Sequence, residues 1–80
     1  MESGYKKIIE YAAEIKADIR ETYEAAIKDP RLQSVFMDSA NIKNIKLSGL
    51  YELAERVYGI PEEVFDEDLE AEIHMLQRVA

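Results

Sequence analysis

Residues 5–28 read YKKIIEYAAEIKADIRETYEAAIK, a segment of 24 residues that contains neither glycine nor proline. Ile9, Ala13 and Ile27 widen its apolar face beyond a narrow seam, as in a helix that packs on a domain core. Lys28 suits the negative end of the helix dipole, and Pro30 prevents continuation, so a long first helix is predicted over 5–28. The main apolar stripe recurs at helical steps of three and four and comprises Tyr5, Ile8, Ala12, Ile15, Ile19, Tyr23 and Ala26.

The turn residues predict three further helices. Asp29-Pro30 is typical of an N-cap followed by proline at the first helical position, which predicts a short helix over 30–38. Gly59 is a natural stop for a helix over about 41–58, in which residues 41–47 are either the first turns or a connector before a cap at Ser48. Pro61 opens a last helix over 61–79. No segment alternates between apolar and polar residues, so we expect an all-α fold, a small four-helix domain that spans 1–80.

Each shorter helix has an apolar face that we expect to be buried. The three faces comprise Leu32, Val35 and Phe36 in the second helix, Leu50, Leu53, Ala54 and Val57 in the third, and Phe65, Leu69, Ile73, Leu76 and Val79 in the last.

The first helix is long for so small a domain. Its 24 residues span about 36 Å, whereas a compact domain of this size has a diameter of about 30 Å. Either the following helices align along it, or its excess apolar surface meets a second copy. We favour the second alternative slightly, a homodimer through helix 1.

The negative charge is concentrated in one part of the chain. Of the net charge of −7, none falls in residues 1–46, because eight basic residues balance eight acidic ones there. Direct binding to nucleic acid or to an anionic membrane needs a basic surface, so we expect neither. The chain has no cysteine, and its first residues do not form the apolar core of a secretion signal, so we expect a cytoplasmic protein.

The acidic segment 62–72 is the densest feature of the chain. It holds seven carboxylates in eleven residues, and several of them form unfavourable like-charge pairs four residues apart on a helix. Nearby Lys43, Lys46 or Arg56 would neutralise them, or they would form a solvated face. The carboxylates are Glu62, Glu63, Asp66, Glu67, Asp68, Glu70 and Glu72.

The functional interpretation is that these carboxylates occupy a basic surface of a partner protein, such as a nucleic-acid-binding groove, in place of phosphates. Tyr11 and Tyr51 lie off the apolar stripes and are candidate contact residues. Bacterial antitoxins, immunity proteins and phage-encoded inhibitors of nucleases or of anti-phage systems share this size and charge. The competing interpretation is a structural homo-oligomer whose acidic face only keeps it soluble.

No catalytic, metal or cofactor site is predicted. Asp66, Asp68 and Glu70 alternate as in a calcium-binding loop, but Ala71 stands where that loop needs glycine. Ala71 also stands three residues before His74, where a di-iron site needs glutamate. We expect His74 to be a solvated surface residue and the protein to be non-enzymatic.

Two short segments resemble known families. Residues 50–60 are similar to the helix and turn of a helix-turn-helix DNA reader, but the acidic helix that follows is unsuited to phosphates. Asp38-Ser39-Ala40 resembles two of the three positions of the Asp-Ser-Leu motif in acyl carrier proteins. That resemblance implies phosphopantetheine on Ser39 and leaves a carrier-like domain as a second alternative, although the basic residues that follow and the absence of a long first loop depart from the family.

Overall fold

The computed structural model describes residues 3–79, with side chains described over residues 4–76. This part of the chain forms three α-helices: α1 (Ser3–Lys28), α2 (Gln33–Tyr58) and α3 (Glu62–Val79). A single 3₁₀ turn, Pro30–Leu32, connects α1 to α2. The all-α class is therefore confirmed, and no helix within the described residues is long and apolar enough to cross a membrane.

The prediction of four helices was wrong. The helices expected over 30–38 and 41–58 form one continuous helix, α2, which begins at Gln33. Asp38-Ser39 favours a cap or turn locally, but neither glycine nor proline follows until Gly49. Ala40 is fully buried in this stretch. Packing against α1 therefore outweighs the weak local preference for a break, and residues 41–47 are helix rather than connector.

The residues predicted to interrupt the helices do so. Asp29 caps the 3₁₀ turn by accepting a 3.3 Å hydrogen bond from the Arg31 amide, with Pro30 at the first position. Gly59 ends α2 in the left-handed conformation, at φ 65°, which glycine adopts without steric cost. The Ile60 amide then donates a 3.2 Å hydrogen bond to the Ala54 carbonyl. These two stops fix where the chain reverses.

The helices run up, down and up. α2 packs antiparallel to α1 along its whole length. The long first helix is therefore matched by an equally long helix of the same chain. α3 packs on α1 and on the C-terminal end of α2. The main core lies where the three helices meet, with Phe65, Ile9 and Leu69 as its largest fully buried side chains. The buried cluster comprises Tyr5, Ile9, Ala12, Ala13, Ile19, Leu47, Ala54, Phe65, Leu69 and Ile73.

α3 is too short to cover the α1–α2 hairpin. Its 18 residues span about 27 Å, against about 39 Å for each of the other helices. The end of the α1–α2 hairpin that α3 does not reach is therefore only two helices thick. The residues buried there are few, namely Thr22, Ala26 and Ala40. The molecule measures 43 × 28 × 18 Å as a result.

Several apolar residues that the sequence predicted to be buried are exposed in the structure. Phe36 and Leu50 are half-buried, as are Ile8 and Ile15, and the side chain of Val79 lies outside the described residues. The exposed residues of the predicted apolar faces are Tyr23, Ile27, Leu32, Val35, Leu53, Val57 and Leu76.

Candidate binding surface

The apolar residues of α3 determine where its carboxylates lie. Phe65, Leu69 and Ile73 follow one another at steps of four and are all buried. The acidic residues between them must therefore lie at the flanks of this contact or on the outer side of the helix. The seven carboxylates consequently divide into those that contact α1 or α2 and those that face solvent.

Asp68 is bound by the first turn of α1. The Tyr5 hydroxyl donates a 2.7 Å hydrogen bond to Asp68 Oδ2. Burial raises the pKa of Tyr5, and the hydrogen bond to the Asp68 carboxylate raises it further. Tyr5 also packs edge-on against Phe65, with ring centroids 6.2 Å apart. Asp68 is thus part of the packing between α1 and α3.

Asp66 is bound by α2. The Tyr51 hydroxyl donates a hydrogen bond to Asp66, and its ring packs on Phe65 with centroids 4.3 Å apart. Burial raises the pKa of Tyr51, and the hydrogen bond to Asp66 and the charges of Glu62 and Glu70 raise it further. The predicted contact residue Tyr51 is therefore a half-buried link between α2 and α3, surrounded by acidic groups.

Glu70 is neutralised by two cations of α1. Its Oε1 lies 2.7 Å from Lys16 Nζ and 2.8 Å from Arg20 Nη2. The hydrogen bond from Lys16 lowers the pKa of Glu70 below its ordinary value, and Arg20 contributes to the shift. Lys43 instead pairs with Asp18 at 2.9 Å, which joins α2 to α1. The sequence analysis expected neutralising cations at Lys43, Lys46 or Arg56. In the structure, the cations that neutralise Glu70 belong to α1 instead.

The other carboxylates face solvent to different extents. Glu62, Glu63 and Glu67 are exposed, and Glu72 is half-buried. Within the described residues, no hydrogen bond or ion pair is made by the side chains of Glu62, Glu63 and Glu67. We call these three residues the acidic surface. They occupy the first two turns of α3.

Tyr11 lies apart from the acidic surface. It is exposed and lines an open groove of about 500 Å³ between α1 and α2, together with Ile8, Leu50, Lys7 and Lys46. None of these residues belongs to α3. The structure therefore brings Tyr51 to the acidic helix and leaves Tyr11 on a different, apolar and lysine-flanked face.

The sequence analysis did not identify the three residues of α1 that bind carboxylates of the acidic helix, namely Tyr5, Lys16 and Arg20. Lys16 and Arg20 stand four residues apart on α1, so they share one face of the helix. That spacing, next to the apolar stripe, is the one signal that would have indicated a basic strip facing an acidic helix.

The structure also locates His74 and Ser39, two further residues that the sequence analysis considered. His74 is exposed on α3, as expected, and Ser39 is half-buried in the interior of α2 rather than at a helix start. Within residues 3–79, no three His, Asp or Glu side chains are placed to hold a metal ion. No protein-family model, curated protein or solved structure matches the chain.

Proposed function

We propose that this chain is a small, non-enzymatic binding protein that occupies a basic surface of a partner protein through the N-terminal half of α3. The observation that supports this function best is the acidic surface of Glu62, Glu63 and Glu67, which is exposed while Asp66, Asp68 and Glu70 are engaged by α1 or α2. The proposal therefore concerns fewer residues than the seven carboxylates of the sequence hypothesis.

The three exposed carboxylates contribute little to the fold. Glu63 and Glu67 are one turn apart, a like-charge spacing that costs about 0.2–0.5 kcal/mol in an isolated helix. Glu62 and Glu63 offset part of this because they lie in the first turn, at the positive end of the helix dipole. Glu67 lies beyond that turn. A binding role accounts for these charges, because long-range attraction between them and a basic partner accelerates association.

The proposed partner is a groove lined by Lys and Arg, such as the nucleic-acid-binding groove of another protein. Carboxylates on successive turns of α3 lie about 5–6 Å apart along the helix and would replace phosphates as the bound anions. An inhibitor or regulator of this kind competes with nucleic acid for the groove without binding nucleic acid itself.

Binding to an arginine-rich peptide, followed by fluorescence anisotropy at increasing salt, tests this function. The triple variant E62Q/E63Q/E67Q should bind at least about tenfold more weakly and with a smaller salt dependence. The matched control is E10Q/E21Q/E24Q, which removes the same charge from exposed positions of α1. Equal loss of binding in both variants, or binding that salt does not change, would contradict the proposal.

A second candidate function is structural, a homo-oligomer in which the acidic face only maintains solubility. The exposed apolar residues of α1 and α2 favour it, among them Ile27 at 77% and Ile45 at 72% exposure. Light scattering after gel filtration tests this second candidate. A chain that remains monomeric at high micromolar concentration is incompatible with the structural function.

A further inference from the structure

The groove that Tyr11 lines is shaped like a site for a small molecule. Ile8 and Leu50 are half-buried and pack against the core, so they give the groove a firm apolar floor. Tyr11, which is 51% exposed, adds an aromatic ring. Sites for small organic molecules are concave and mostly apolar and measure about 300–1,000 Å³. The volume of about 500 Å³ lies within that range. We call this feature, which Lys7 and Lys46 complete, the lysine groove.

The charge of the lysine groove is opposite to that of the whole chain. The chain carries −7, yet the described residues that line the groove include two lysines and no carboxylate. Among the described side chains, neither Lys7 nor Lys46 makes an ion pair or a hydrogen bond. The groove therefore has two positive charges that the fold itself does not neutralise. This charge is complementary to an anion and repels a cation.

The surroundings of the lysine groove limit the size of its occupant. Past Tyr11 the groove continues into a smaller hollow of about 260 Å³ that Glu14 and Asp18 line, so the preference for an anion ends there. The lysine groove itself spans one turn of each helix, residues 7–11 and 46–50. A partner helix in a groove uses anchors spread over two turns or more. A short, compact anion is therefore a better fit than a helix.

We propose that the lysine groove binds a small amphipathic carboxylate, a molecule with one carboxylate group and an apolar body such as a short acyl chain. The apolar body lies on Ile8, Leu50 and Tyr11, where contact removes apolar surface from water. The ammonium groups of Lys7 and Lys46, carried on flexible stems, attract the carboxylate. Apolar contact supplies affinity, and the two lysines select an anion.

This site is separate from the one in the proposed function. The lysine groove belongs to α1 and α2, whereas the acidic surface belongs to α3. The two share no residue, so loss of one leaves the other in place. The sequence analysis considered Lys46 as a partner for the acidic helix, and the structure places it in the lysine groove instead.

Titration of the isotope-labelled full chain with octanoate, followed by amide chemical shifts, tests the proposal. The shifts should saturate with a dissociation constant below about 2 mM and should concentrate in the residues of the lysine groove. Octylammonium has the same chain and the opposite charge. Although the net charge of −7 attracts it to the protein as a whole, it should bind in the lysine groove at least about fivefold more weakly than octanoate.

Replacing the lysines by methionine separates charge from apolar contact. K7M/K46M removes both charges from exposed positions and keeps long apolar side chains. Its affinity for octanoate should fall about fivefold, and the preference over octylammonium should disappear. The matched control is K6M/K28M, which removes the same charge from exposed positions of α1 outside the groove and should bind octanoate as the wild type does.

Y11A tests the apolar part of the site at an exposed position. It should retain the helical circular dichroism of the wild type and bind octanoate about threefold or more weakly, because apolar contact area is lost. Three results would overturn the proposal. They are amide shifts that lie outside the lysine groove, equal affinity of K7M/K46M and K6M/K28M for octanoate, and a wild-type titration that does not saturate by about 10 mM.

Discussion

The hydroxyl of Tyr5 and the carboxylate of Asp68 are joined by a 2.7 Å hydrogen bond across 63 positions of sequence. This contact attaches the first turn of α1 to the acidic helix. It makes one of the seven carboxylates of segment 62–72 a structural group. We expect D68A to lower the free energy of unfolding by about 1–2 kcal/mol, because the Tyr5 hydroxyl loses a charged partner in a partly buried place. Urea unfolding followed by circular dichroism measures the loss.

The neighbouring exposed carboxylate provides the control for that experiment. E67A removes the same kind of charge one residue earlier, where the side chain is exposed. Its free energy of unfolding should lie within about 0.5 kcal/mol of the wild type. If D68A and E67A have equal effects, the hydrogen bond does not contribute to stability as stated.

Stability should decline at alkaline pH because of Tyr5 and Tyr51. Their pKa values are raised above the ordinary 10.0 by burial and by their carboxylate partners, so the unfolded chain loses these protons first. The contribution is complete below about pH 10 and is lost as the pH rises through the folded-state pKa, by up to about 1.4 kcal/mol per pH unit for each tyrosine. Urea unfolding between about pH 8 and pH 11 should show a shallower decline in Y5F/Y51F. Y11F, at an exposed position, should keep the wild-type slope.

Acid should remove the contribution of Glu70. Its pKa is lowered below the ordinary 4.5 by Lys16 and Arg20, so its stabilising effect is present above that value and disappears as the pH falls through the folded-state pKa. E70Q should cost less than about 1 kcal/mol at neutral pH, because the pair is half-exposed and screened by solvent. The difference from wild type should shrink toward zero in acid. A difference that persists in acid would show that Glu70 acts by packing instead, and E63Q serves as the exposed control.

Gly4 and Tyr58 should behave as a coupled pair. A Cβ atom at Gly4 would overlap the Tyr58 hydroxyl and lie 3.2 Å from the ring carbon that bears it. G4A should therefore displace the ring, which packs on Tyr5, and cost about 1 kcal/mol or more. Y58F removes the overlapping oxygen, so G4A should cost less in the Y58F background. Equal costs of G4A in both backgrounds, measured by urea unfolding, would contradict this coupling.

The other two glycines should respond to alanine in opposite directions. G49A should stabilise the monomer by about 1 kcal/mol, since the site is helical and open. G59A should destabilise it by about 1–2 kcal/mol, because Gly59 has a φ of 65°. Thermal unfolding at low micromolar concentration compares the two variants as monomers. A gain in stability for G59A would contradict the role of Gly59 as the C-cap of α2.

Helix boundaries that depend on local signals could be predicted from the sequence, and those that depend on distant contacts could not. Pro30 and Gly59 end helices through their own backbone geometry, so they mark true boundaries. The predicted break near Asp38-Ser39 failed because Ala40 is buried against α1, a contact between segments far apart in sequence. The exposure of Leu53 and Val57 was unpredictable for a similar reason, since it depends on which side of α2 packs on the other two helices.

The same distinction applies to the acidic helix. The number and spacing of its carboxylates follow directly from residues 62–72. Which of them are neutralised depends on the positions of Tyr5, Lys16 and Arg20, and these positions are set by the packing of α3 on α1. The candidate surface was therefore recognisable as a segment, whereas its division into engaged and exposed residues required the structure.

Because α3 covers only part of the α1–α2 hairpin, we expect the molecule to unfold in parts rather than as a single unit. Where α3 covers the hairpin, amide hydrogens lie above a core that includes Phe65 and Leu69, and we expect them to exchange with solvent only on global unfolding. Beyond α3, the two-helix end rests on Ala26, Ala40 and Thr22, so its amides should exchange through smaller, local openings. Protection from hydrogen exchange should therefore decrease from the Gly59 end of the hairpin toward the Pro30 end, and local unfolding should begin at the 3₁₀ turn.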